Sequence, residues 1–106
     1  MAQLNEQIGS RFYLPRSIFK DNRLTPSDIT VLSYLYSNLD QNKNHSSVSY
    51  SDIVKGASIS RPTVSKALKN LEQTGWIKIK RSDKGGPQNI NKYILTIPKE
   101  VRKYER

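Results

Sequence analysis

Residues 59–76 read ISRPTVSKALKNLEQTGW. Ser60 stands where a helix cap is expected, Pro62 suits a first turn, and Gly75 can take the left-handed conformation that ends a helix. Between them Val64, Ala67, Leu68 and Leu71 recur at helical spacing. The stretch therefore predicts a helix over about 61–74 with one buried face. Its other face carries Arg61, Thr63, Ser65, Lys66, Lys69, Asn70 and Gln73. Such a helix can be an ordinary core helix with a solvated basic side, or one whose polar side meets a partner. Its neighbours decide between the two.

Downstream the period changes. WIKIKR (76–81) alternates, with Ile77 and Ile79 inward and Lys78 and Lys80 outward. INKYILTIP (90–98) gives a second strand with Tyr93, Leu95 and Ile97 on one face. The segment between them, SDKGGPQN (82–89), contains two glycines and a proline, so the pair reads as a hairpin with a long loop. Lys78, Lys80, Arg81, Lys84 and Lys92 surround that loop, and Gly85 and Gly86 let its tip come close to a partner. This glycine pair lies between strands and lacks the GxxxxGK[ST] pattern, so it is not a nucleotide loop. KEVRKYER (99–106) reads as a last short helix or a frayed tail.

Upstream, TPSD (25–28) is a helix start: Thr25 caps, Pro26 opens, and Asp28 suits the positive end of the helix dipole. Ile29, Leu32, Leu35, Tyr36 and Leu39 then predict a core helix over about 26–39. DQNKNHSS (40–47) reads as a polar loop, and VSY (48–50) as a short extended piece that pairs with the hairpin. Ser49 with Asp52 is a second cap, although the usual box has Glu or Gln at the later position. SDIVKGA (51–57) is a brief helix ending near Gly56, and ASIS (57–60) a turn. Phe12, Leu14, Ile18 and Phe19, broken by Pro15, read as an extended piece and a helical turn covering one side of the core. The order predicts a mainly helical α+β fold, a winged helix-turn-helix: three helices, a C-terminal β-hairpin wing and a short final helix. Residues 1–10 are expected to be a flexible arm, 11–97 the domain, and 98–106 a basic tail or short helix.

Charge is unevenly distributed over the 106 residues. Lys and Arg number 18 against 9 acids, a net charge of +9. Residues 1–57 hold six cations and five anions, while 58–106 hold twelve and four. The surplus thus lies on the predicted third helix and hairpin, and favours a polyanionic partner. There is no Cys, hence no disulfide and no thiolate metal site, which fits a reducing compartment. No apolar run approaches the roughly 20 residues of a membrane helix. MAQLNEQIGS lacks the apolar core of a signal peptide. A cytoplasmic protein without a membrane partner is expected.

A helix in the major groove leads with its N-terminal residues. Ser60, Arg61, Thr63, Ser65 and Lys66 are therefore the groove candidates, with Ser58 and Pro62 counted among the other DNA-contacting residues, and Arg61 can read guanine with two bonds. Small hydroxyl residues at the helix start also leave backbone N–H groups open to phosphate. Lys69 and Asn70 lie farther along, where the DNA backbone runs. Lys78, Lys80, Arg81, Lys84, Gly85, Gly86 and Lys92 supply the wing contact. No catalytic, cofactor or metal site is expected. His45 is the single histidine, placed in a polar loop with no ligand cluster near it in sequence, and the carboxylates show no paired spacing. The tyrosines read as packing groups: Tyr36 lies on the apolar stripe of the first helix, Tyr34 at its edge, and Tyr93 on the inner face of a strand.

LTPSDITVLSYL and VSYSDIVKGASISRPTVSKALKNLEQTGWI resemble the winged helix-turn-helix domains at the N-termini of plasmid and phage replication initiators. FYLPRSIF also resembles the lead-in segment of those domains. The resemblance covers about residues 12–97, and SRPTVSKALKNLEQTGWI is its most specific part. MarR-like and GntR-like regulators share a similar pattern there. It implies a bacterial, phage or plasmid protein that binds repeated double-stranded DNA sites at an origin, with no small-molecule substrate. A small transcription repressor or a centromere-binding partition protein, acting as a homodimer on paired half-sites, is the alternative. A winged helix that binds protein instead of DNA would show an exposed apolar patch and would not need a basic third helix.

Overall fold

The computed structural model describes residues 9–40, 42–82 and 89–105. Three α-helices form the body: α1 (Pro26–Ser37), α2 (Tyr50–Ala57) and α3 (Arg61–Gln73). Three strands, β1 (His45–Ser49), β2 (Ile77–Lys80) and β3 (Ile90–Leu95), form an antiparallel sheet in the order β1-β3-β2. Two 3-10 helices, Arg16–Lys20 and Lys99–Glu105, flank these elements. The result is the winged helix-turn-helix expected from the sequence.

The helix starts follow from local chemistry. At α1, Thr25 Oγ1 accepts from the Asp28 N–H at 3.1 Å and the Asp28 carboxylate accepts from the Thr25 N–H at 2.9 Å. At α2, Ser49 and Asp52 repeat the arrangement at 3.0 Å in each direction. Asp thus closes both boxes in place of the usual Glu or Gln. That second cap makes Tyr50 the first residue of α2 instead of the end of a strand.

The stop at α3 is a Schellman closure. The Trp76 N–H reaches the Leu71 carbonyl at 2.9 Å and the Gly75 N–H reaches Glu72 at 3.3 Å, with Gly75 at φ 89°. Gly56 does not stop α2; it lies inside the helix, and Ser58 takes the left-handed position at φ 55°. Gly56 has a packing role. A Cβ there would stand 1.9 Å from Tyr34 Cε1, so α1 and α2 approach closely only because the side chain is missing.

The core is one cluster of Ile18, Val31, Leu32, Leu35, Ile53, Val64, Leu71, Trp76 and Tyr93, with partners around them. Val31 is fully buried, whereas Ile29 and Leu39 of the expected α1 stripe are half-buried. Phe12 and Phe19 are largely exposed and do not cover the core as expected; Ile18 and half-buried Leu14 do so from that segment. The reason is the 3-10 turn, which directs Ile18 inward and leaves Phe19 outside.

β3 is the central strand, pairing Ser46 with Tyr93 on one side and Ile79 with Tyr93 on the other. His45 opens β1 instead of lying in a loop, because β3 offers it a partner in Ile94. Ile97 lies past the end of β3 and is half-buried. The second 3-10 helix is docked through Val101, and Glu105 accepts from the Ser17 N–H at 2.7 Å. Among the described residues no helix is long and apolar enough to cross a membrane.

Candidate nucleic-acid interface

α3 buries Val64, Ala67, Leu68 and Leu71, as its spacing requires. It follows α2 through Ser58, Ile59 and Ser60, and Ser60 caps it by accepting from the Thr63 N–H at 3.4 Å. The Ser60 hydroxyl also donates to Thr63 Oγ1 at 2.9 Å. Pro62 is exposed in the first turn. Lys66 and Lys69 are exposed without a side-chain partner among the described residues. With Pro62 and Gln73 they form the outward stripe of the helix at intervals of three and four.

The two flanks of α3 are held by polar bonds. On the α1 side, the Asn70 amide donates to Asp28 Oδ2 at 2.6 Å and to the Arg23 carbonyl at 3.2 Å. Asn70 thus fastens α3 to the first helix and its side chain is already occupied. On the wing side, Tyr50 Oη bonds both the Arg61 carbonyl and Ser65 Oγ, the latter at 2.7 Å. The Arg61 guanidinium lies 5.8 Å from the Tyr50 ring centroid and donates to Ser51 Oγ at 3.4 Å. Cation–π contact and a weak bond pre-position Arg61 while leaving it exposed.

These helices form a helix-turn-helix, and residues 22–77 match the family of that name, the helix-turn-helix domain. The chain belongs to the helix-turn-helix domain family. The family supports a DNA-binding domain, and the matched span ends where the wing begins. No curated protein matches the chain.

Beyond the matched span the basic wing residues divide into two sets. Arg81 stands across a cleft from α3 that is lined by Tyr50, Ser65, Lys69, Glu72 and Asn91. Its guanidinium is 3.9 Å from Glu72, and both groups are exposed, so the pair is weak and Arg81 can exchange it for phosphate. Asn91 holds the base of the hairpin, accepting from the Ser82 N–H at 2.9 Å and donating to Tyr93 Oη at 3.3 Å.

Lys78, Lys80 and Lys92 lie on the outer face of the sheet. They alternate with the buried or half-buried Ile77, Ile79 and Tyr93, which face the helices. Lys80 stands directly opposite Lys92, a like-charge pair that is unfavourable until an anion comes near. Lys84, Gly85 and Gly86 lie outside the described residues.

Beneath the site, Asp21 fixes the end of α3. Its carboxylate accepts from Arg23 Nη2 at 2.7 Å and from Trp76 Nε1 at 2.8 Å. Bonding to Arg23, aided by Trp76, holds the Asp21 pKa down at about 2 against the burial that opposes it. Sequence reasoning missed Tyr50 at the interface, although the Ser49 cap already implied that Tyr50 opens α2.

Proposed function

We propose that the domain binds double-stranded DNA sequence-specifically as a binding protein, not an enzyme. In this reading α3 lies in the major groove, the β2–β3 wing meets an adjacent groove or phosphates, and the protein serves replication initiation at a plasmid or phage origin. The observation that carries the reading is the cationic outward face of α3, where Lys66 and Lys69 are exposed and without a side-chain partner among the described residues, beside a pre-positioned Arg61. A solvated basic face alone would also suit a packing helix, and it is the pre-positioned Arg61 at the leading end of α3 and the basic wing beside it that favour a polyanion. The replication role is supported by the likeness of FYLPRSIF and LTPSDITVLSYL to initiator domains.

Two measurements test this. Binding to duplex DNA should weaken with salt, with a slope near −5 in log affinity against log salt if about six phosphates are neutralised. Salt-independent binding would refute the reading. Selection from a random duplex pool should return direct repeats. A single inverted repeat would instead support a dimeric repressor or partition protein and overturn the replication role.

A further inference from the structure

Tyr50 joins the two helices of the helix-turn-helix at the end of α3 that leads into DNA. Its hydroxyl touches two oxygens, the Arg61 carbonyl and Ser65 Oγ. A carbonyl has no proton to give, so the single phenolic proton must go to Arg61. The bond between the two hydroxyls, 2.7 Å long, then has one polarity: Ser65 donates and Tyr50 accepts. Ser65 has spent its only proton, and its exposed oxygen keeps lone pairs alone.

This constrains what Ser65 can meet. Phosphate oxygens, guanine O6 and N7, and thymine O4 are all acceptors, and an acceptor-only hydroxyl is repelled by them. In the major groove the matching donors are the amino groups of adenine N6 and cytosine N4. We infer that Ser65 is a specificity-determining acceptor for a base amino group, and that Tyr50 is the positioning residue that makes it so. The inference rests on the DNA-binding reading above. It separates Ser65 from Lys66 and Lys69, whose ammonium groups can contact any phosphate.

Tyr50→Phe is the informative change. It keeps the ring under Arg61, and with it the contact at 5.8 Å, while removing the hydroxyl. Ser65 then regains the freedom to donate. Wild-type protein, Tyr50→Phe and Ser65→Ala would each be used to select duplexes from a random pool, with Trp76 emission confirming the fold. The wild-type output should contain one position where adenine or cytosine outcompetes guanine or thymine on the same strand by about fivefold, the scale of one hydrogen bond. Tyr50→Phe and Ser65→Ala should both level that position and leave the others unchanged.

If Tyr50→Phe keeps the preference that Ser65→Ala loses, Tyr50 does not set the polarity and the inference fails. If both variants select the wild-type sequence unchanged, Ser65 reads no base and the inference fails while DNA recognition stands. A wild-type output with no enriched sequence would overturn the sequence-specific reading itself.

Discussion

Replacing Asp21 with Asn tests the link between the lead-in segment and the end of α3. The side chain keeps its volume and one acceptor oxygen for Trp76 Nε1. That oxygen also keeps the bond from Arg23 Nη2, while the amide NH2 takes the other position and faces Arg23 Nε, donor against donor, where the carboxylate had accepted at 2.8 Å. The native Asp21 pKa falls from 3.8 to about 2, chiefly through its bond to Arg23, a shift that contributes about 2–3 kcal/mol to stability. Asp21 is only 6 % exposed, so solvent screening takes little from that figure. The folded pKa lies below the unfolded one, so the contribution is present above about pH 4 and disappears as pH falls toward 2. Urea unfolding can be followed by the fluorescence of Trp76, the single tryptophan, which is fully buried. At pH 7 Asp21→Asn should lose about 2–3 kcal/mol, and the gap from wild type should close between about pH 4 and 2. A loss below about 0.5 kcal/mol, or a gap that does not change with pH, would show that the network contributes no net stability.

Two further substitutions probe the packing beneath the interface. Gly56→Ala would gain about 1 kcal/mol in a helix free of neighbours, but the new Cβ would strike the Tyr34 ring at 1.9 Å. Overpacking of this kind costs about 1–3 kcal/mol, so thermal unfolding should show net destabilisation, which reverses in a Tyr34→Ala background. Ser46 is fully buried on the inner face of the sheet, and its hydroxyl has no partner among the described residues. Ser46→Ala should therefore be neutral or stabilising by up to about 1 kcal/mol in urea unfolding, and a clear loss would contradict that placement.

The legible parts of this fold are those that depend on near neighbours. Thr25 with Asp28, Ser49 with Asp52, and Gly75 after Leu71 each act within one turn, so residue type and spacing were enough. The alternation of Ile77, Lys78, Ile79 and Lys80 likewise fixed which face of β2 is buried. Side-chain partners at long range left no such trace. Tyr50 and Ser65 are 15 residues apart, Asn70 and Asp28 are 42 apart, and Trp76 and Asp21 are 55 apart. Asn70 illustrates the cost: on a helical wheel it shares the polar side with Lys69, yet its amide is spent on α1. Phe12 and Phe19 show the converse, since apolar type alone does not say which turn of the chain faces inward.

The same long-range bonds explain how α3 can be both well held and open to a ligand. Its buried stripe fixes depth against α1 and which face points inward, and the polar bonds on its flanks add directional restraint on small rotations about its axis. Directional bonds stand on either side: Asn70 to Asp28 on one, Tyr50 to Ser65 and the Arg61 carbonyl on the other. Turning the helix one way strains the first set, and turning it the other way strains the second. The stripe between them, Pro62, Lys66, Lys69 and Gln73, then keeps one orientation without a polar side-chain contact of its own among the described residues. A ligand meeting that stripe would not have to order it first, which lowers the entropic cost of binding. Loss of both flanking bonds, in Tyr50→Phe with Asn70→Ala, should therefore weaken binding to every sequence, beyond the base preference that Tyr50→Phe alone removes.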